Sequence, residues 1–103
     1  MVTAQELHGL MEGGEEPQLL DVRFSHEWKA GHLPGALAVE LGSLPEHVDS
    51  LPRDISYATI CAAGFRAATA ASVLEREGFE EVVLVEGGTG KWSEAGYPLE
   101  KGE

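Results

Sequence analysis

The sequence is poor in cysteine, in basic residues and in long apolar runs, and each scarcity excludes a class of protein. Cys61 is the single cysteine among 103 residues, so the fold cannot contain an internal disulfide. Seven basic residues stand against eighteen acidic ones, and the resulting formal net charge of −11 repels nucleic-acid backbones and anionic lipid. No apolar run reaches the length of about 18 residues that a membrane-spanning helix needs.

These absences predict a soluble cytoplasmic protein that has neither nucleic acid nor a membrane as its partner. The first ten residues also lack the basic and then apolar pattern of a secretory signal. Hydrophobic residues make up 43% of the chain and charged residues 24%, as in ordinary globular domains, so we expect residues 1–103 to form one domain. His8, His26 and His47 show no ligand spacing, and no metal or other cofactor is expected.

Strand-like and helix-like patterns alternate along the chain. The pairs Thr3 with Glu6 and Ser43 with Glu46 each match a capping box at a helix start. Helices are predicted from Thr3 to Gly13 and over 25–30, 43–50, 66–77 and 89–95, and strands over 18–22, 36–41, 55–60 and 82–85. This alternation predicts an α/β domain with a mainly parallel sheet, helices on both faces, and ligands at the carboxyl ends of the strands.

Cys61 follows the predicted third strand directly and begins a loop, residues 61–66, that leads into the longest predicted helix. Small residues allow successive backbone N–H groups to converge there, which favours a bound anion and the thiolate form of the cysteine. Arg66 can present two N–H groups to the oxygens of an anion. Without this context, a small buried apolar residue would be the simpler interpretation of Cys61. We therefore expect a nucleophilic Cys61 and a substrate site formed by Ala62, Ala63, Gly64, Phe65 and Arg66.

Several ordered segments between residues 19 and 98 resemble the rhodanese family. They are Leu20-Asp21-Val22-Arg23 with Glu27-Trp28, Gly31-His32-Leu33-Pro34-Gly35-Ala36, Cys61-x-x-Gly64-x-Arg66, Gly78-Phe79, and Val85-Glu86-Gly87-Gly88 with Trp92 and Ala95-Gly96-Tyr97-Pro98. The resemblance implies a rhodanese-like fold and a sulfurtransferase. In such an enzyme, Cys61 would take the outer sulfur of a donor such as thiosulfate as a persulfide and pass it to cyanide or a thiol.

The chain departs from the family pattern within the loop. Ala62 and Ala63 replace polar or basic residues that are often found there, and Ala67 stands where a serine or threonine is frequent. Arg66 is then the only charged residue of the loop, so capture of the thiosulfate dianion should be weaker than in family members that have further basic residues there. The expected partners are a small sulfur-containing anion or, in its place, a protein persulfide as donor, and a thiol as acceptor.

Three further residues are expected to support the loop rather than to take part in the reaction. Asp21 and Arg23 end the first predicted strand and are predicted to brace the loop through hydrogen bonds. His32 is interpreted as a residue that braces a turn, with a proton shuttle as the alternative. Trp28 and Trp92 are predicted to fill the core.

Two other functions use the same thiol. A non-enzymatic persulfide carrier would also need Cys61, and the sequence does not separate it from an enzyme. A cysteine-dependent phosphatase or arsenate reductase would use a thiolate and an arginine to attack an oxyanion. Four residues separate Cys61 from Arg66, whereas tyrosine phosphatases resemble one another in having five residues between the two. The shorter loop should therefore hold a sulfur atom on Cys61 more readily than a whole phosphate group.

Overall fold

The computed structural model describes residues 1–102 and contains alternating helices and strands. The helices are α1 (Ala4–Glu12), α2 (Ser25–Ala30), α3 (Leu44–His47), α4 (Phe65–Arg76) and α5 (Gly88–Glu94). The strands are β1 (Gln18–Asp21), β2 (Leu37–Ala38), β3 (Tyr57–Ile60) and β4 (Val82–Leu84), and 3-10 turns at Leu41–Ser43 and Val48–Ser50 flank α3. None of the helices described within residues 1–102 is long and apolar enough to cross a membrane.

The four strands form one sheet in the order β2-β1-β3-β4, and every pairing is parallel. Asp21 of β1 is the register partner of Ile60 of β3. One residue further on, the Val22 N–H donates to the Ile60 carbonyl at 3.0 Å. The carboxyl ends of the two central strands therefore lie side by side, and Cys61 begins its loop at this edge of the sheet.

Helices cover both faces of the sheet, as predicted. The side chains of β3 alternate between the faces, because successive residues of a strand point to opposite sides. Tyr57 and Cys61 pack in one core cluster with residues of α3 and α4, and Ala58 and Ile60 pack in a second with residues of α1 and α5. The Cys61 side chain thus lies on the face that α4 covers.

Helix α4 takes the position and the length that its sequence pattern predicts. Its apolar residues Ala67, Ala70 and Leu74 lie on one face and are fully buried. Gly64 precedes the helix in a left-handed conformation, with φ of 112°. Thr59 of β3 donates its hydroxyl to the Ala67 carbonyl at 2.9 Å, which fixes the first turn of α4 to the strand that precedes Cys61.

The amino-terminal segment contributes both a helix and an extension of the sheet. The capping box predicted for Thr3 and Glu6 is present, with each backbone N–H bonded to the other residue's side chain at 2.9 and 3.1 Å. Val2 forms a parallel bridge with Val85, where its N–H donates to Leu84 and its carbonyl accepts from Glu86. Val2 therefore continues the sheet beyond β4.

Two predicted elements differ from the structure. The helix predicted over 43–50 is divided into α3 and two 3-10 turns, and the Ser43 side chain caps nothing. The reason is the Ser43 backbone, which is helical at φ −98° and ψ −5°, whereas a capping serine needs an extended conformation. The strand predicted over 36–41 contains only Leu37–Ala38, because the Ala36 N–H closes the preceding turn on the Leu33 carbonyl and a 3-10 turn begins at Leu41.

The two tryptophans have different environments, so the prediction that both fill the core is correct for one of them. Trp92 is fully buried, and its indole N–H donates to the Pro98 carbonyl at 2.8 Å. Trp28 is half-buried on α2, which has no buried residue. Its ring stacks on that of His32 with centroids 3.5 Å apart. Trp28 packs against a loop because α2 covers no part of the sheet core.

Candidate active site

The Cys61 thiol is buried at the point where the loop enters α4. Its Sγ accepts hydrogen bonds from the Gly64 N–H at 3.0 Å and from the Ala67 N–H at 3.3 Å. The left-handed conformation of Gly64 turns the chain so that both N–H groups face the sulfur. N–H groups that converge on one atom at a helix start stabilise negative charge there, so the arrangement suits a reactive sulfur anion.

The opposite side of the loop packs against the start of α5. The N–H groups of Thr89 and Gly90 donate to the carbonyls of Cys61 and Ala62 at 2.8 and 3.1 Å. A β-carbon at Gly88 would overlap the Cys61 carbonyl oxygen, so a side chain at this position has no room. Gly87 and Gly88, with φ of 73° and 58°, form a tight turn beside the active loop.

Arg66 forms an ion pair with Glu27 of α2. Its Nη1 lies 2.8 Å from Glu27 Oε1 and its Nη2 lies 3.1 Å from Oε2, so both carboxylate oxygens are bound. Glu27 Oε1 also accepts the Phe24 N–H at 2.9 Å. The guanidinium carbon lies 5.6 Å from the centroid of the Phe24 ring. The N–H groups that the sequence assigns to a substrate anion are therefore bound to a carboxylate of the same chain.

The pair changes the titration of both of its members. Hydrogen bonds from Arg66 lower the pKa of Glu27 to about 2, against a smaller opposing effect of burial. The Glu27 carboxylate in turn raises the pKa of Arg66 above its ordinary value, and charge at Cys61 and at Asp21 adds to this rise. Both side chains are charged at neutral pH, so the pair has no net charge.

Asp21 and Arg23 form a buried pair beside the carboxyl end of β1. Arg23 Nε lies 2.9 Å from Asp21 Oδ1, and Nη2 lies 2.8 Å from Oδ2. Nη2 also donates to the Gly31 carbonyl at 2.7 Å. The two residues are 1% and 7% exposed, so these hydrogen bonds take the place of most of their hydration. The pair joins the end of β1 to the segment that follows α2.

His32 is buried in the turn that follows α2. Its Nδ1 lies 2.9 Å from the Trp28 carbonyl oxygen, and its ring stacks on Trp28. The His32 backbone exchanges two hydrogen bonds of 2.8 Å with Glu100, whose carboxylate lies 3.9 Å from Nε2. These contacts join the turn to the carboxyl-terminal segment.

The outer surface of the loop is small and apolar, apart from one large side chain. Phe65 is 85% exposed and Ala63 is also exposed, whereas Ala62 and Gly64 are half-buried. Beside Ala62 lies a cleft of about 330 Å³ whose walls include Arg23, Glu27, Thr89 and Ser93. Within residues 1–102, no three histidine, cysteine, aspartate or glutamate side chains come together as a metal site.

The sequence model of the rhodanese-like domain family matches residues 3–95. The chain belongs to the rhodanese-like domain family. In a crystal structure, a rhodanese-related protein from Thermoplasma volcanium superposes on this chain with a TM-score of 0.87 at 34% identity, with 96% of this chain and 95% of that chain covered. The α/β class, the parallel sheet and the helices on both faces are thus those of a rhodanese-like domain.

Two bacterial relatives are named for sulfur chemistry. "Putative sulfurtransferase YtwF" of Bacillus subtilis is 34% identical over 91 residues, which are 88% of this chain and 87% of that protein. "Putative sulfur carrier protein YrkF" of the same organism is 29% identical over 83 residues, which are 81% of this chain but only 45% of that protein. The first protein is named as a transferase of sulfur and the second as a carrier of sulfur.

Two residues of this rhodanese-like domain contact the site without having been predicted from the sequence. Ala67 donates its N–H to Cys61 Sγ, and the sequence does hold a signal for it, because the first N–H groups of a helix have no partner within the helix. Glu27 binds Arg66 from 39 residues away along the chain. No local pattern indicates such a pairing, since it depends on where the sheet places α2 relative to α4.

Proposed function

We propose that the protein is a sulfurtransferase that carries sulfane sulfur on Cys61 as a persulfide. The observation that carries the proposal is the pair of N–H groups, from Gly64 and Ala67, that converge on Cys61 Sγ. They favour a sulfur anion before the transfer, and the same donors can stabilise the charge of a persulfide. Membership of the rhodanese-like family and the relative named as a sulfurtransferase support the assignment.

The reaction proceeds in two steps. In the first, the Cys61 thiolate attacks the outer sulfur of a donor, a bond forms between Sγ and that sulfur, and the bond to the rest of the donor breaks. With thiosulfate, sulfite leaves with the electron pair. In the second, cyanide or a thiolate attacks the outer sulfur, the product leaves as thiocyanate or as a new persulfide, and the electron pair returns to Sγ. Neither step needs a cofactor.

The other site residues bind or position. The backbone of Ala62, Ala63, Gly64 and Phe65 forms the wall around the transferred sulfur, and Arg66 binds the anionic part of the donor whenever Glu27 releases it. Asp21 and Arg23 join the end of β1 to Gly31, and His32 holds the turn after α2. The donor is a small sulfur-containing anion or a protein persulfide, and the acceptor is a thiol.

A reducing compartment, such as the cytoplasm, is the setting that we propose for this chemistry. Oxidation would destroy a cysteine persulfide, so the intermediate needs a reducing environment. The same environment keeps a lone thiol such as that of Cys61 in its reduced form. The net charge of −11 disfavours nucleic acid and anionic membranes as partners.

A non-enzymatic persulfide carrier is the second candidate, and the relative named as a sulfur carrier favours it. A carrier would accept sulfur at the same Cys61 but would release it to one protein partner only. Multiple turnovers with thiosulfate and cyanide would identify an enzyme. A single loading of Cys61 without turnover would identify a carrier.

Intact mass after incubation with thiosulfate or a persulfide tests the proposal. The wild-type protein should gain one sulfur atom, and cyanide should remove it. Cys61→Ser should gain none while it stays folded, because oxygen at this position forms no persulfide and the change of volume is small. Sulfur uptake by Cys61→Ser, or no uptake by the wild type from either donor, would reject the proposal.

Phosphate chemistry is tested separately with aryl phosphates. We expect no release of phosphate that depends on Cys61, because the loop encloses only four residues between Cys61 and Arg66. The matched control is again Cys61→Ser, which separates hydrolysis at this site from contamination. Release of phosphate by the wild type and not by this variant would favour a phosphatase over a sulfurtransferase.

A further inference from the structure

The two arginines beside the active loop are both bound to carboxylates. Arg23 pairs with Asp21 at 2.8 Å, and Arg66 pairs with Glu27 at 2.8 Å. Residues 61–65 contain no basic side chain. Neither arginine is therefore free to bind thiosulfate, which is a dianion.

Glu27 binds the groups of Arg66 that an anionic donor needs. Arg66 uses Nη1 and Nη2 for the two oxygens of Glu27, in the two-point geometry that an oxyanion would otherwise adopt. A dianion must displace this carboxylate or remain beside it, and like charges at contact distance repel. A persulfide has to bring only its terminal sulfur to Cys61 Sγ. The N–H groups of Gly64 and Ala67 can donate hydrogen bonds to the negative charge on that sulfur.

We propose that Glu27 determines donor specificity at this site. By holding Arg66, its carboxylate selects against free dianionic donors such as thiosulfate. Persulfides can still react at the site, because the only charge near their reacting atoms lies on the terminal sulfur. In that reaction the bond from Cys61 Sγ to the terminal sulfur forms, the S–S bond of the donor breaks, and the donor leaves as a thiolate. The proposal rests on the proposed function and narrows its substrate class.

The decisive variant is Glu27→Gln. Glutamine keeps the size of the side chain and an oxygen that can still accept the Phe24 N–H, but it removes the negative charge. KM for thiosulfate should fall about tenfold with kcat little changed, because a neutral amide holds Arg66 less strongly than a carboxylate and lets the donor bind it. With the persulfide of N-acetylcysteine amide, which has no other charge, kcat/KM should stay within about twofold of wild type.

Glu40→Gln is the matched control. Glu40 also accepts a backbone N–H at the start of α2, that of Ser25 at 2.8 Å, and glutamine can keep this bond. The control removes one negative charge near the same helix without affecting the partner of Arg66. The ratio of kcat/KM for thiosulfate to that for the persulfide should change in Glu27→Gln alone.

Alkylation of Cys61 supplies a readout that does not depend on sulfur transfer. Iodoacetate is an anion and iodoacetamide is neutral, so the ratio of their rate constants reports how well an anion reaches the sulfur. We expect Glu27→Gln to raise this ratio about threefold or more. In an Arg66→Met background the same substitution should change the ratio little, because the arginine that it frees is absent.

The outcomes separate the two proposals. If no donor loads Cys61 in any variant, the sulfurtransferase proposal fails and the preference among sulfur donors fails with it. If loading occurs but Glu27→Gln leaves both the donor ratio and the alkylation ratio at wild-type values, the role of Glu27 is wrong while the sulfurtransferase proposal stands. If Glu40→Gln has the same effect as Glu27→Gln, the effect comes from the net charge of the protein and not from the contact of Glu27 with Arg66. That result would also overturn the proposed role of Glu27.

Discussion

Gly88 lies directly against the carbonyl group of Cys61. A β-carbon at position 88 would overlap the carbonyl oxygen of Cys61 and would lie 2.8 Å from the carbonyl carbon of Ala62. The Gly88 backbone also has φ of 58°, which side-chain-bearing residues rarely adopt. The active loop is therefore held between the N–H groups of α4 on one side and the backbone of α5 on the other.

Substitution of Gly88→Ala should destabilise the protein and disturb the active loop. Overlap with the Cys61 carbonyl adds to the strain of the positive φ, and together they should cost about 2 to 4 kcal/mol of unfolding free energy. Denaturation in urea measures the loss. Gly9→Ala is the control, because Gly9 lies within α1 with nothing within 4 Å of an added β-carbon. There the substitution should stabilise by about 0.5 to 1 kcal/mol, and equal effects of both substitutions would contradict this account.

Substitution of Asp21→Asn should also destabilise the protein strongly. It leaves the Arg23 guanidinium buried at 7% exposure without its compensating charge, and loss of one partner of a buried ion pair costs about 3 to 5 kcal/mol. The double variant Asp21→Leu with Arg23→Met removes both charges and should recover part of that loss in the same urea titration. A cost below about 1 kcal/mol for Asp21→Asn would show that Arg23 is solvated.

The Glu27–Arg66 pair predicts a specific dependence of stability on pH. The folded-state pKa of Glu27 lies at about 2, below its ordinary value of 4.5, so the pair's contribution is complete above pH 4.5 and is lost as pH falls through 2. The side chains are 29% and 25% exposed, so the contribution should be no more than about 1 kcal/mol. The difference in unfolding free energy between wild type and Glu27→Gln measures it. A difference that stays constant down to about pH 2 would reject the pair as its source.

Local patterns in the sequence predict the elements that are defined by contacts within a few residues. The capping box at Thr3 and the buried face of α4 depend on spacings of three and four residues, and both are present. The placement of Cys61 at the end of β3 follows in the same way, from an apolar run that ends at the loop. These features depend mainly on residues that are close together in the sequence.

The features that the sequence did not predict depend on contacts between distant segments. Trp28 stays half-buried because α2 lies away from the core. The pairing of Arg66 with Glu27 arises in the same way, and it changes how the charge at the active loop is understood.

The bridge between Val2 and Val85 has a consequence for the solubility of the protein. β4 is an outer strand of the sheet, and an uncovered strand edge is a template on which a second chain can add. Val2 binds the N–H of Glu86 and the carbonyl of Leu84, which would otherwise face outward beyond β4. At the opposite edge, β2 offers only two residues. A fusion or cleavage that pulls Val2 away would thus open a docking edge for self-association, so an affinity tag is better attached elsewhere.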